Sequence, residues 1–152
     1  MKASDRPRGF LLLLADGFDE VQVTTLISGL RGAGLPLTTV GLKRRGIRGM
    51  HGVVIVPDTS LSEVLRSLPS VGVLIIPGGE AAIAAWRADP RFEDLVEGVE
   101  RRGGRVAVVP EAASLLEGTR VTALPLPLAV QPLETTPTWI QPLVEAVGET
   151  VM

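Results

Sequence analysis

Unbroken apolar runs recur along this chain and alternate with segments of helical periodicity. The runs at Gly9–Ala15, Val71–Ile76 and Val106–Val109 show no polar alternation, a pattern typical of parallel strands that are buried on both faces. Val53–Val56 is another short apolar run, and Leu37–Leu42 contains threonine and valine, which favour extended backbone. The pattern therefore predicts strands at each of these places.

The segments between the strands carry helix signals. Asp19 and Ser60 are suitable N-cap residues, and Glu63 completes a capping box with Ser60. The predicted helices are Glu20–Arg31, Leu61–Ser67, Glu80–Ala88, Pro90–Arg102 and Glu111–Leu116. Alternation of strands with helices predicts an α/β fold, a three-layer sandwich in which helices cover both faces of a mostly parallel sheet.

The other segments are less regular. Lys43–Arg48 is predicted to be a charged turn, Val121–Ala123 a short strand, Leu124–Pro137 a proline-rich loop or extended arm, and Thr138–Val147 a final amphipathic helix. Pro142 lies within the pattern of that helix and is expected to kink or delay it. At 152 residues, the chain is predicted to form one domain, residues 1–152.

The amino-acid composition argues against several kinds of site and binding partner. The chain has no cysteine and a single histidine, His51, so it has no thiol nucleophile, and no metal site or cofactor is predicted. A net charge of −2 lacks the basic balance of a nucleic-acid binder. The apolar run Phe10–Ala15 is far too short to span a bilayer and is followed by acidic residues. We expect a cytoplasmic protein that binds neither nucleic acid nor membrane.

The strand Val106–Val109 runs directly into the predicted helix at Glu111. Turns of this kind lie at the carboxyl edge of a sheet, where open α/β folds place their sites and where some hydrolases hold a nucleophile on a strained backbone. The turn residue here is Pro110, which has neither a thiol nor a hydroxyl and whose φ is fixed near about −65°. The sequence predicts a relaxed turn that cannot supply a nucleophile.

Four segments with these features resemble the ThiJ/PfpI superfamily, whose members include the Parkinson-associated deglycase and small intracellular proteases. They are LLLLADGFDEVQ at 11–22, MHGVVIVPDTSL at 50–61, VLIIPGGE at 73–80 and RVAVVPEAASLL at 105–116. Their order and approximate spacing are those of the superfamily. The resemblance implies a flavodoxin-like sheet of the class I glutamine amidotransferase type.

The resemblance also implies where a site would lie. Active members use a cysteine at the position of Pro110, an acidic residue at that of Gln22 and, in some, a histidine at that of Glu111 or Leu124. The degenerate catalytic positions are therefore Gln22, Pro110 and Leu124, while the backbone donors of the double glycine are retained. The predicted ligand-binding residues are Gly17, Gln22, Gly78, Gly79, Pro110 and Glu111.

We therefore expect a non-catalytic ThiJ/PfpI-like homodimer that acts in small-molecule binding, regulation or assembly, with the first helix around Gln22 near the subunit contact. One alternative is an enzyme of the same fold in which Asp19 or Glu111 acts with the N–H groups of Gly78 and Gly79 as an oxyanion site. Another is a purely structural subunit.

Simpler roles are also open for several of these residues. Gln22 could be a surface or interface side chain, and Gly78–Gly79 could be no more than a tight turn. Asp19 is explained by helix capping and Glu111 by the helix dipole. His51 is expected to be structural.

Overall fold

The computed structural model describes residues 9–68, 70–119, 121–126 and 140–151. The strands are β1 (Gly9–Leu14), β2 (Leu37–Gly41), β3 (Ile47–Arg48), β4 (Val54–Ile55), β5 (Thr59–Ser60), β6 (Val71–Ile76), β7 (Arg105–Val108) and β8 (Leu124–Pro125). The α-helices are α1 (Glu20–Gly32), α2 (Leu61–Arg66), α3 (Glu80–Ala88), α4 (Arg91–Arg101) and α5 (Ile140–Val151), and Pro110–Leu116 forms a 3₁₀ helix.

The main sheet has the order β5-β2-β1-β6-β7-β8, and all of its neighbouring strands are parallel. From β1 the chain moves outward to β2, and it then crosses back over β1 to β6 and continues in the opposite direction. Because such crossovers are right-handed, this reversal places α1 on the face opposite α3 and α4. The predicted doubly wound, flavodoxin-like sheet is confirmed.

The core lies on both faces of the central strands. Every residue of β6 is buried, as is every residue of β1 after Gly9. Phe18, in the loop that follows β1, is fully buried. Helix α5 packs against β6 and buries Leu143, Ala146 and Val147. Complete burial explains why these strands lack polar alternation in the sequence.

Several boundaries differ from those predicted. Residues 47–48, assigned to a charged turn, form β3, which pairs with β4 in a separate antiparallel hairpin. The short strand predicted at 121–123 is wrong, because the sheet is extended at Leu124–Pro125 instead. The helix after Val109 is of the 3₁₀ type. The predictions for 127–137 and for Thr138 and Trp139 lie outside the described residues.

Candidate functional site

Three parallel strands end at one edge of the sheet, and the loops that follow them meet there. Gly17 follows β1, Gly78 and Gly79 follow β6, and Pro110 follows β7. Strand order reverses between β1 and β6, and crevices at such switch points are where open α/β sheets bind ligands. The topology therefore assembles the predicted site from segments that are far apart in the chain.

The loops after β1 and β6 touch through their backbones. The N–H of Asp19 donates to the carbonyl of Gly78 at 3.1 Å. Gly79 has a φ of +111°, and a Cβ there would overlap the carbonyl oxygen of Gly17 and lie 2.9 Å from Cα of Phe18. Only glycine can combine this conformation with such close approach. Gly79 is thus required by the close contact between the two loops as well as by its own backbone conformation.

The side chain of Gln22 lies between the β6 loop and the 3₁₀ helix. Its Oε1 accepts a hydrogen bond from the N–H of Gly78 at 2.7 Å, and its Nε2 donates to both carboxylate oxygens of Glu111 at 3.1 Å. We call this group, consisting of the Gly78 N–H, the Gln22 amide and the Glu111 carboxylate, the polar cradle. Gln22 is therefore a cradle residue rather than a free surface side chain.

The cradle is built on helix α1. Asp19 is the N-cap of that helix, as predicted, and its side chain accepts from the N–H of Gln22 at 3.1 Å. This cap begins the helix where its first turn directs Gln22 toward Gly78. Gly78 and Gly79 are buried, whereas Glu111 and Pro110 are exposed, so the cradle has a buried floor and an open side.

The turn after β7 is relaxed. Pro110 begins the 3₁₀ helix, and Val109 before it is extended, with φ −71° and ψ 153°. Among the described residues only glycines have positive φ, so the strained backbone of a nucleophile elbow does not occur at Pro110. Leu124, the third degenerate position, lies on β8 in register with Ala107 and contributes an aliphatic, half-buried side chain.

A second carboxylate near the cradle has a different role. Glu20 is 7% exposed and accepts hydrogen bonds from the backbone N–H groups of His51 at 2.6 Å and Val53 at 2.7 Å, with Nδ1 of His51 at 2.9 Å. Burial raises the pKa of Glu20, but the hydrogen bonds from Val53 and His51 outweigh it and hold that pKa below its ordinary value. Glu20 therefore fastens the β3–β4 hairpin to α1.

Sequence reasoning did not pair Glu20 with His51. The two residues are 31 positions apart, and no local pattern connects them. His51 contributes its backbone N–H and Nδ1 of a largely exposed imidazole to this contact, and its structural role stays a prediction. Both oxygens of the Glu20 carboxylate are engaged by these contacts.

Apolar side chains are exposed on the β3–β4 hairpin and on the first turn of α1, next to the contacts of Glu20. Val21, Met50, Val53, Val54 and Val56 are between 47% and 71% exposed. Val21 follows Glu20 on α1, and the others lie on the hairpin that Glu20 holds. We call these five residues the apolar patch. Exposed apolar side chains are typical of an interaction surface where they form one continuous area.

The described residues contain neither a metal-binding cluster nor a membrane-spanning helix. Among them, no group of three or more histidine, cysteine, aspartate or glutamate side chains is arranged to hold a metal ion. None of the helices described combines the length and apolar character needed to cross a membrane.

A doubly wound α/β protein with a site at its switch point belongs to a class that supports many activities. Comparison with known proteins narrows that class. The model of the DJ-1/PfpI family matches residues 9–136, and the chain belongs to this family, as its motifs predicted.

Named relatives agree with this assignment. Protein dj-1beta of Drosophila melanogaster is 31% identical over 107 residues, which cover 70% of this chain and 56% of that protein. Protein DJ-1alpha of the same organism is 32% identical, with coverage of 70% and 49%. The crystal structure of D. melanogaster DJ-1beta matches with a TM-score of 0.67 at 29% identity, covering 73% of this chain and 59% of that one.

The chain spans about half the length of the curated relatives it matches. Family membership and fold are therefore established, whereas the activities of the longer proteins do not transfer with them.

Proposed function

We propose that this chain is a non-catalytic member of the DJ-1/PfpI family that acts in small-molecule binding, regulation or assembly. The observation that carries the proposal is Pro110, which occupies the position that family resemblance assigns to the nucleophilic cysteine. A proline side chain can neither attack a carbonyl nor hold a proton for transfer. The absence of cysteine from the whole sequence also leaves no thiol elsewhere in the chain to take its place.

The polar cradle supports the same proposal. An oxyanion site needs N–H donors directed at the position of a developing negative charge. The Gly78 N–H is instead used by Gln22, whose amide also contacts Glu111. Asp19 is engaged in capping α1. These contacts disfavour the alternative enzyme, in which Asp19 or Glu111 would act beside a free N–H pair.

Enzyme assays test this part of the proposal directly. Purified protein is expected to show no deglycase, glyoxalase or peptidase turnover above the blank, with a cysteine-containing family member as the positive control. The variant Pro110→Cys is also expected to show little turnover, because Gln22 cannot act as the acidic partner of a thiol. Turnover by the wild-type protein that is lost in Glu111→Gln would overturn the proposal and favour the alternative enzyme.

We further propose that the chain forms a homodimer through the apolar patch. The patch combines the first turn of α1, which includes Val21, with the hairpin that carries Val54 and Val56. A second copy would remove these side chains from water, and a self-complementary contact needs only one such surface on each subunit. Val21 is adjacent to Gln22 in the chain, so this interface would include the first helix, as we expect from the sequence.

Light scattering tests this assembly. Wild-type protein at micromolar concentration is expected to have the mass of a dimer, and Val54→Asp is expected to have that of a monomer, because it would bury a carboxylate at the contact. Val144→Asp on α5 makes the same chemical change at another exposed valine and should remain dimeric. A monomeric wild type, or dissociation by both variants alike, would contradict the proposed interface.

A further inference from the structure

The polar cradle has two recognition points of opposite character. The buried N–H of Gly78 can only donate, and both carboxylate oxygens of Glu111 accept from Nε2 of Gln22. A group that satisfies both must present an acceptor oxygen next to an N–H₂ donor. Gln22 presents such a group, and its amide orientation is determined by these two partners.

From this geometry we propose that the cradle is a recognition site for a primary carboxamide, closed in the resting protein by its own Gln22 side chain. The inference rests on the proposed function, since it names the ligand class for the same pocket. A carboxylate would satisfy the Gly78 N–H but be repelled by Glu111. An amidinium would pair with Glu111 but leave the Gly78 N–H without an acceptor.

Gly78 lies in close contact with both side chains of the cradle. A Cβ on Gly78 would overlap Oε2 of Glu111 and lie 2.7 Å from Oε1 of Gln22. The absence of a side chain is therefore what allows the amide and the carboxylate to approach the backbone. Access comes from the side of Pro110 and Glu111, both of which are exposed.

Removal of the resident group should open the site. In Gln22→Ala the missing atoms correspond one for one to acetamide, so acetamide is the probe that should refill the cradle. Acetate and acetamidinium have the same shape but differ in charge and in their donors and acceptors. These three probes therefore separate carboxamide recognition from simple filling of a cavity.

The experiment follows the backbone ¹⁵N–¹H resonance of Gly78 during titration with each probe. We expect saturable binding of acetamide to Gln22→Ala, about tenfold or more tighter than that of acetate or acetamidinium, as is usual when one analogue leaves a site group unpaired. Wild type and Val21→Ala should bind acetamide more weakly but with the same preference over acetate and acetamidinium, because the probe must first displace Gln22 from the cradle.

A second variant tests the role of Glu111. Adding Glu111→Gln to Gln22→Ala replaces the acceptor with a side chain that can donate, so the preference should change from acetamide to acetate. If Gln22→Ala does not fold, Gln22→Ser is titrated in its place with formamide, formate and formamidinium, because its Oγ takes the position of the missing Cγ and leaves room for one carbon fewer.

Equal responses to all three probes, or no saturable response to acetamide in a folded variant, would overturn the inference. Neither result would alter the proposed absence of turnover. Conversely, wild-type turnover would overturn the proposed function while leaving the preference for acetamide to be judged by its own titration.

Discussion

The two adjacent glycines of the cradle should respond very differently to alanine. Gly79→Ala must place a side chain at φ +111° and against the backbone of Gly17 and Phe18. The unfavourable backbone conformation costs about 1–3 kcal/mol, and losing the hydrogen bond from Asp19 to Gly78 as the loops separate adds about 0.5–1.5 kcal/mol. We therefore expect a loss of about 1.5–4.5 kcal/mol in the free energy of unfolding.

Gly78→Ala meets a different environment. Its φ is not positive, and the new Cβ would contact only the ends of the Gln22 and Glu111 side chains, which can move. Loss of the Gln22 contact costs about 0.5–1.5 kcal/mol, and the lower entropy of the unfolded chain offsets about 0.4–1 kcal/mol of that. Gly78→Ala should therefore lie within about 1 kcal/mol of wild type.

Urea unfolding followed by tryptophan fluorescence measures both variants, since Trp86 is buried on α3, which begins directly after Gly79. Gly34→Ala is the matched control, because Gly34 has φ +78° and a Cβ added there would meet nothing within 4 Å. It isolates the backbone cost from the steric overlap. A Gly79→Ala variant no less stable than Gly34→Ala, or a Gly78→Ala variant as unstable as Gly79→Ala, would refute this account of the loop contact.

Further predictions concern the polar contacts of Asp58 and Glu20. Asp58→Ala should lower the free energy of unfolding by about 1–3 kcal/mol, because Asp58 accepts hydrogen bonds from the N–H and hydroxyl of the buried Thr39. Arg31→Ala removes the exposed ion-pair partner of Asp58 and should lower it by only about 0–1 kcal/mol. Urea unfolding of the two variants compares these losses. For Glu20 the folded pKa lies below its ordinary value of 4.5, so its stabilising contribution is present above that pH and is lost as the pH falls through the folded pKa. The stability difference between wild type and Glu20→Gln should therefore be constant near neutral pH and decrease below about pH 4.5, as a series of urea titrations at different pH would measure.

Each of these two predictions has an outcome that would contradict it. Arg31→Ala destabilising as much as Asp58→Ala would mean that the ion pair, rather than the contact with Thr39, is important. A difference between wild type and Glu20→Gln that widens on acidification would have the wrong sign for a carboxylate whose pKa is lowered by folding.

Local sequence was enough to determine the layers of this protein. The unbroken apolar runs of β1 and β6 show which strands are covered on both faces, because burial on both faces removes the need for polar alternation. Asp19 marks the start of α1 through its side-chain capping capacity. Pro110 excludes a nucleophile and a strained elbow by covalent structure alone. None of these conclusions requires knowledge of distant contacts.

Tertiary structure decided how the separated pieces meet. Gln22 and Glu111 are 89 positions apart, and Glu20 and His51 are 31 apart, so no local pattern could pair them. Their contacts arise because parallel strands bring the loops after β1, β6 and β7 to one edge. The sequence alone determined which side chains are available to the site and which chemistry is missing. Only the fold determined that the Gly78 N–H donates to the Gln22 amide rather than to solvent, because a hydrogen bond depends on the positions of both groups in space.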